Sequence, residues 1–167
     1  MGSIPSRPIK EGEDRLLVNK IKDGTVIDHI PAGKALTVLR ILGADKPRGN
    51  RVAVVMNAES RKMGRKDIVK LEGIYPHRED LDKIALIAPE ATINIIKDYT
   101  VKEKRRASIP KEINGILKCI NPTCITRQER EHVKPRFKTI SVEPLLIQCI
   151  YCSSLIRLRD IESLLIK

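Results

Sequence analysis

The stretch "GTVIDHIPAG" (residues 24–33) sets an acid and an imidazole, Asp28 and His29, into an apolar run of Val26, Ile27 and Ile30. A buried strand normally excludes such groups, because desolvating an unpaired charge costs several kcal/mol. Extended backbone puts Val26, Asp28 and Ile30 on one face and Ile27 and His29 on the other. The two polar side chains therefore diverge unless the strand ends or bulges there, and Pro31 allows an end. Two readings stay open at this point: a strand-terminal pair that reaches a surface ligand, or a hydrogen-bonded pair with none.

Outward from this stretch the patterning is regular. Upstream, residues 1–14 ("MGSIPSRPIKEGED") are polar and broken by Pro5 and Pro8, which reads as a mobile lead-in. "RLLVNKI" (15–21) reads as strand, Asp23-Gly24 as a turn, and "TVIDHI" (25–30) as strand again. From Pro31 a helical spacing takes over, with Leu36, Leu39 and Leu42 joined by Ala35 and Val38, and Gly43 as a C-cap. "VAVVMN" (52–57) and "RKDIVKLEG" (65–73) read as a hairpin around "ESRKMG" (59–64). "REDLDKIALIA" (78–88) places Leu81, Ile84, Ala85 and Ala88 on one helical face. "ATINIIKDYTVKEKR" (91–105) is strand with a tight turn at Lys97-Asp98. This order predicts an α+β unit: a ferredoxin-like βαββαβ antiparallel sheet with two helices on one face.

"KEKRRASIPK" (102–111) is charged, poor in apolar residues, and reads as a boundary. The expected organisation is a mobile extension over 1–14, one domain over 15–105 and a second over 106–167. The stretch 111–167 rarely stabilises itself by core burial alone at that size. It contains all four cysteines, spaced Cys119-x4-Cys124 and Cys149-x2-Cys152 with 24 residues between the pairs. Two short pairs joined by a long loop suit tetrahedral zinc, each knuckle offering two thiolates. The alternatives are disulfides, which a reducing compartment disfavours, and free thiols, which give no reason for the pairing. "LLIQC" and "LIRLRD" read as two arms of a hairpin, which predicts a small all-β, zinc-ribbon-like domain. His132 lies between the pairs, but four cysteines already close a site, so it reads as a solvated loop residue.

Composition narrows the function classes. The 167-residue chain is 41% hydrophobic, which suffices for a core. With three Tyr, one Phe and no Trp, that core must be aliphatic. No run approaches the roughly 18 apolar residues of a membrane span, and no signal-peptide pattern opens the chain, so a cytoplasmic location is expected. Thirty-two basic against 21 acidic residues leave +11, which suggests a polyanion partner. A zinc-ribbon nucleic-acid binder is one candidate. The scarcity of aromatics, on which single strands would stack, disfavours it, as does the mixed charge of "ITRQEREHVKPRFK" (125–138).

The alternative polyanion is a nucleotide. Lys66 and Lys70 share a strand face with Ile68; Thr92, Asn94 and Ile96 share another, with Tyr99, Val101 and Lys104 beyond the turn. An aspartate can accept from ribose hydroxyls, lysines and histidine can neutralise phosphates, and apolar residues can sandwich a base. A lysine run by itself is more often a solvated face. Neither GxGxxG nor GxxxxGK[ST] occurs, and no Ser-His-Asp set, spare cysteine or carboxylate pair suggests catalysis, so a nucleotide-processing enzyme is the least favoured class.

In this order and spacing, "GTVIDHIPAG", "MGRKDIVKLEG", "IALIAPEATINIIKDY" and the C-x4-C…C-x2-C tail resemble the regulatory chain of aspartate carbamoyltransferase, from about residue 16 to the C-terminus. The resemblance implies a non-catalytic subunit of pyrimidine biosynthesis with an N-terminal allosteric domain and a C-terminal domain holding one structural Zn2+ through Cys119, Cys124, Cys149 and Cys152. It implies homodimers through the N-terminal domains, linking two catalytic trimers by three regulatory dimers into a dodecamer. The effectors would be CTP and ATP, with UTP a third candidate. By matching motif, Asp28 and Lys70 would hold the ribose, and His29, Asn94 and Lys104 would lie around the triphosphate. Ile21 and Tyr99 would meet the base, with Val101 lining the pocket.

Overall fold

The computed structural model describes residues 19–46 and 49–166. The predicted strand over 15–21 falls partly outside them, and residues 19–21 are not strand. The first strand, β1, is Gly24–Pro31 and leads into helix α1, Ala35–Ile41. A hairpin follows, β2 (Val52–Ser60) and β3 (Gly64–Glu72), then helix α2 (Arg78–Ile87). A second hairpin, β4 (Thr92–Lys97) and β5 (Thr100–Arg106), completes an antiparallel sheet in the order β2-β3-β1-β4-β5. The first four strands have the expected ferredoxin-like βαββαβ connectivity, and β5 extends the sheet.

Local chemistry accounts for the boundaries. Helix α1 ends where Gly43 turns left-handed at φ +60°, just past the cap residue Leu42. The Gly43 N–H donates to Arg40 O at 3.2 Å and the Ala44 N–H to Leu39 O at 2.9 Å, which satisfies two terminal carbonyls. At the start of α2 the His77 N–H donates to Asp80 Oδ2 at 2.9 Å. The β4–β5 turn sits one residue later than expected, at Asp98-Tyr99, both with positive φ, as a two-residue hairpin turn requires.

The core lies between this sheet and the helices. Ile27, Ile30, Val69, Leu71 and Ile93 meet Val38, Ile84 and Leu86, all buried. Among the described residues no helix covers the other face of the sheet, which carries Asp28, Lys66, Lys70, Asn94 and Lys104.

The C-terminal part is a four-stranded antiparallel sheet, β6 (Glu112–Asn114), β7 (Arg136–Val142), β8 (Leu145–Cys149) and β9 (Leu155–Arg157), in that spatial order. The β8–β9 hairpin is the one expected from the sequence, but the second arm stops at Arg157. "LRD" instead opens helix α3 (Leu158–Leu164), with the Arg157 N–H donating to Asp160 Oδ2. Phe137, Ile147, Ile156 and Ile161 are fully buried there, and this core is continuous with that of the larger sheet. Among the described residues no helix is long and apolar enough to cross a membrane.

Candidate functional site

The paradox of Asp28 and His29 resolves in a bulge. Strand β1 pairs Ile27 with Val69 and Ile30 with Asp67, so Asp28 and His29 together oppose the single residue Ile68. His29 takes φ +57° to make this possible. The bulge breaks the alternation, lets both Ile27 and Ile30 enter the core, and keeps the imidazole and carboxylate together: His29 Nδ1 lies 3.7 Å from Asp28 Oδ2. The His29 N–H donates to Asp28 Oδ1 at 2.6 Å. Both side chains are half-buried, and the Nδ1 atom of His29 is buried with no hydrogen-bond partner among the described residues.

Strand register then aligns the other candidates. Lys70 pairs with Val26, Val26 with Asn94, and Asn94 with Lys104. Directly paired residues share a sheet face, so Lys70, Asn94 and Lys104 form one row on the open face. Asp28 lies on the same face two residues along β1, in a row with Thr92 and Arg106. Val101, 56% exposed, pairs with Ile96 in the opposite direction along the sheet. A register shift at Lys102 is what lets Val101 and Lys104, three apart, share this face. Beyond Val101 lies Tyr99, whose N–H donates to Lys22 O at 2.9 Å, beside the buried Ile21. The open face thus has an apolar end at Ile21, Tyr99 and Val101, a cationic middle, and the Asp28-His29 bulge at its other end. By register, Asp28, Lys70, Asn94, Val101 and Lys104 of the nucleotide candidates share this face, with His29 beside Asp28 and Tyr99 in the adjoining turn.

The partner of Asp28 is Lys66, with Nζ 2.8 Å from Oδ1 and a side chain only 17% exposed. Lys70 Nζ instead reaches Asn19 O at 3.4 Å. The sequence placed Lys66 and Lys70 on one face, which the structure confirms, but could not say which lysine meets the acid. A second group escaped sequence reading because its members are far apart in the chain. Glu90, just before β4, lies 2.5 Å from Lys62 Nζ and 3.8 Å from Arg106 Nη2. Contact with the Lys62 ammonium and its charge hold the Glu90 carboxyl below its usual range; burial opposes them, and Arg106 and His29 add smaller lowering effects. Arg106 was legible in principle, two residues past Lys104 on an alternating strand.

In the C-terminal sheet the four cysteines converge. Their sulfurs all lie within 4.8 Å of one another, with Cys119–Cys152 at 3.5 Å and Cys124–Cys149 at 3.8 Å. Four thiolates at about 2.3 Å from a tetrahedral zinc are about 3.8 Å apart, so the set fits that ion and is far from disulfide contact. Burial pushes the Cys119 and Cys149 thiols up. At Cys152 burial is outweighed by the Ser154 hydroxyl and N–H and by neighbouring thiols, and its thiol comes down to about 6. Thiols packed this way need a cation to be deprotonated together. The Thr126 hydroxyl donates to Cys124 Sγ at 3.2 Å, and Arg127 Nη1 to Cys119 O at 3.1 Å, steadying the first knuckle. His132 is exposed and stands outside the cluster. One structural zinc ion belongs here, with no open position for a substrate.

Fold and site together define a two-sheet protein, with an open antiparallel face bearing a row of lysines on one sheet and a four-cysteine cluster fitted to a metal on the other. Residues 16–108 match the family model of the aspartate carbamoyltransferase regulatory chain, allosteric domain, and residues 111–162 that of its metal binding domain. Regulatory chains of aspartate carbamoyltransferase from Hyperthermus butylicus and Staphylothermus marinus are 60% and 53% identical. They align over 90% and 89% of this chain and 94% and 91% of their own lengths. The chain from Thermofilum pendens is 57% identical over 84% of this chain and 88% of its own. The chain belongs to the family of aspartate carbamoyltransferase regulatory chains, and is thus a regulatory rather than a catalytic subunit of an enzyme of pyrimidine biosynthesis.

Proposed function

We propose that this chain binds nucleoside triphosphates on the open face of its N-terminal sheet and transmits their binding to catalytic trimers of aspartate carbamoyltransferase. The observation that carries this reading is the row Lys70–Asn94–Lys104 aligned across three strands, with Asp28 at one end of the face and Val101 and Tyr99 at the other. On this reading residues 15–105 are the effector unit and 106–167 the docking unit, with residues 1–14 as an extension ahead of both. Asp28 and Lys70 grip the ribose, His29, Asn94 and Lys104 the phosphates, and Ile21, Tyr99 and Val101 the base, of CTP, ATP or UTP. Homodimers form through the N-terminal units, and three of them join two catalytic trimers in the cytoplasm.

The C-terminal sheet supports the docking role. Ile120, Ile140, Val142, Ile150, Tyr151 and Leu155 of the C-terminal part are all at least 40% exposed, a surface that association would cover. Regulation then requires only that a nucleotide bind one quaternary state better than the other, and a coupling of about 1–3 kcal/mol gives a 5–150-fold effect.

Reconstitution tests the proposal. The zinc-loaded chain, mixed with catalytic trimers from the same source, should give a large complex on sizing whose activity changes with CTP or ATP. Asp28→Ala should still assemble but respond at least tenfold less sensitively to nucleotide. Absence of assembly would count against the docking role. A response unaltered by Asp28→Ala would remove the nucleotide from this face.

A further inference from the structure

The Lys62–Glu90–Arg106 group lies at the bulge end of the open face. Arg106 stands in the row of Asp28 and Thr92, one row beyond Lys104 and Asn94 and away from Tyr99. Lys62 comes from the turn between β2 and β3, and Glu90 from the segment entering β4, so three separate parts of the chain converge on this point. A nucleotide lying with its base at Tyr99 and its phosphates past Lys104 would end there. Two cations are already gathered at that place, and both are held by one carboxylate.

Resting on the effector reading above, we infer that Lys62 and Arg106 bind the terminal phosphate of a nucleoside triphosphate, and that Glu90 is the internal anion this phosphate displaces. The carboxylate has two opposed effects. It holds the half-exposed Lys62 side chain near its bound position, which lowers the ordering cost of binding. It also competes with the incoming phosphate and repels it. A monophosphate too short to reach the group feels neither effect, so the three residues measure phosphate-chain length. They do not touch the base or sugar and do not decide which nucleoside binds.

The measurement is calorimetric titration of CTP and CMP into the zinc-loaded full chain, wild type and variants, at one fixed salt concentration. Lys62→Met and Arg106→Gln should each lower the preference for CTP over CMP about three- to tenfold, with CMP affinity unchanged. Glu90→Gln should raise that preference about threefold. All three side chains are about half exposed or more, so the folded state should persist, and thermal melts of each variant check that. An unchanged CTP-to-CMP ratio in Lys62→Met and Arg106→Gln, or an equal loss for both nucleotides, would overturn the inference while leaving the effector site standing. Failure of the wild-type chain to bind either nucleotide would overturn the effector reading, and this one with it.

Discussion

Asp67 is fully buried, yet its carboxylate is paired with no cation among the described residues. Three backbone donors satisfy it instead: Gly33 N–H at 2.8 Å and Ala35 N–H at 3.1 Å on Oδ2, and Asn57 N–H at 2.8 Å on Oδ1. The first two fix the entry into α1. The third holds a bulge in β2, where Met56 and Asn57 together face Asp67. Its neighbour Lys66 pairs with Asp28 on the other side of the sheet, so one dipeptide braces both the core and the proposed effector face. Asp67→Asn would turn an amide N–H toward a backbone donor and lose at least one charge-assisted bond. The expected cost is roughly 2–4 kcal/mol, read from the urea midpoint, because bonds to charged groups contribute about 1.5–3 kcal/mol each. A midpoint shift equivalent to less than about 0.5 kcal/mol would show the carboxylate to be dispensable.

At the scale of elements, the metal and the four-stranded sheet stand or fall together. Cys119 and Cys124 precede a short 3-10 turn at Ile125–Arg127, whereas Cys149 ends β8 and Cys152 lies in the β8–β9 turn. The four sulfurs bring these two knuckles, separated by 24 residues in the chain, to one point. Zinc release by a chelator should therefore raise hydrogen exchange in β6–β9 by orders of magnitude while β1, β3 and β4 stay protected, given binding energies on the order of 10–16 kcal/mol in zinc-finger peptides. Slow exchange persisting in β7 and β8 after verified metal loss would refute this. Strands and helices of the larger sheet were legible because apolar period and turn residues agreed over each segment. The β4–β5 turn was misplaced by one residue because Tyr99 is not a side chain expected at positive φ. The bulges left no trace in the pattern, since "IDHI" reads equally well as a strand end. Helix α3 was hidden because "LIRLRD" alternates like a strand, and the Asp160 cap on the Arg157 N–H and the contacts of α3 with the larger sheet's helices are facts of the folded structure. The cysteine spacing needed no tertiary context at all, whereas the Lys66–Asp28 choice depended on it entirely.

Across the whole molecule, the two units are tied by Glu162. This α3 residue binds the Lys34 ammonium and the Thr37 hydroxyl on α1 through its two carboxylate oxygens. Those bonds, with the charges of Lys34 and Arg40, hold its carboxyl below the ordinary glutamate value of 4.5. A group with a lowered folded-state pKa contributes stability that is present above its unfolded pKa and is lost as the pH falls through the folded one. Glu162→Gln should accordingly lower stability at neutral pH modestly, since the pair is more than one-third exposed. It should also flatten the fall in stability below about pH 4.5. Denaturation curves at pH 7 and across the acid limb test this, and an acid limb identical to wild type would exclude Glu162 as a contributor.

The bulge at His29 carries one more consequence. Deleting that residue on paper leaves Ile27, Asp28 and Ile30 in unbroken alternation, with both isoleucines still facing the helices and the aspartate still outward. The hydrophobic pattern therefore has no need of His29, which behaves as a supernumerary letter spliced into a legible word. Its left-handed backbone costs about 1–2 kcal/mol relative to ordinary strand geometry. The folding code would read more smoothly without it, and on the proposed effector reading its presence serves the open face and not the fold.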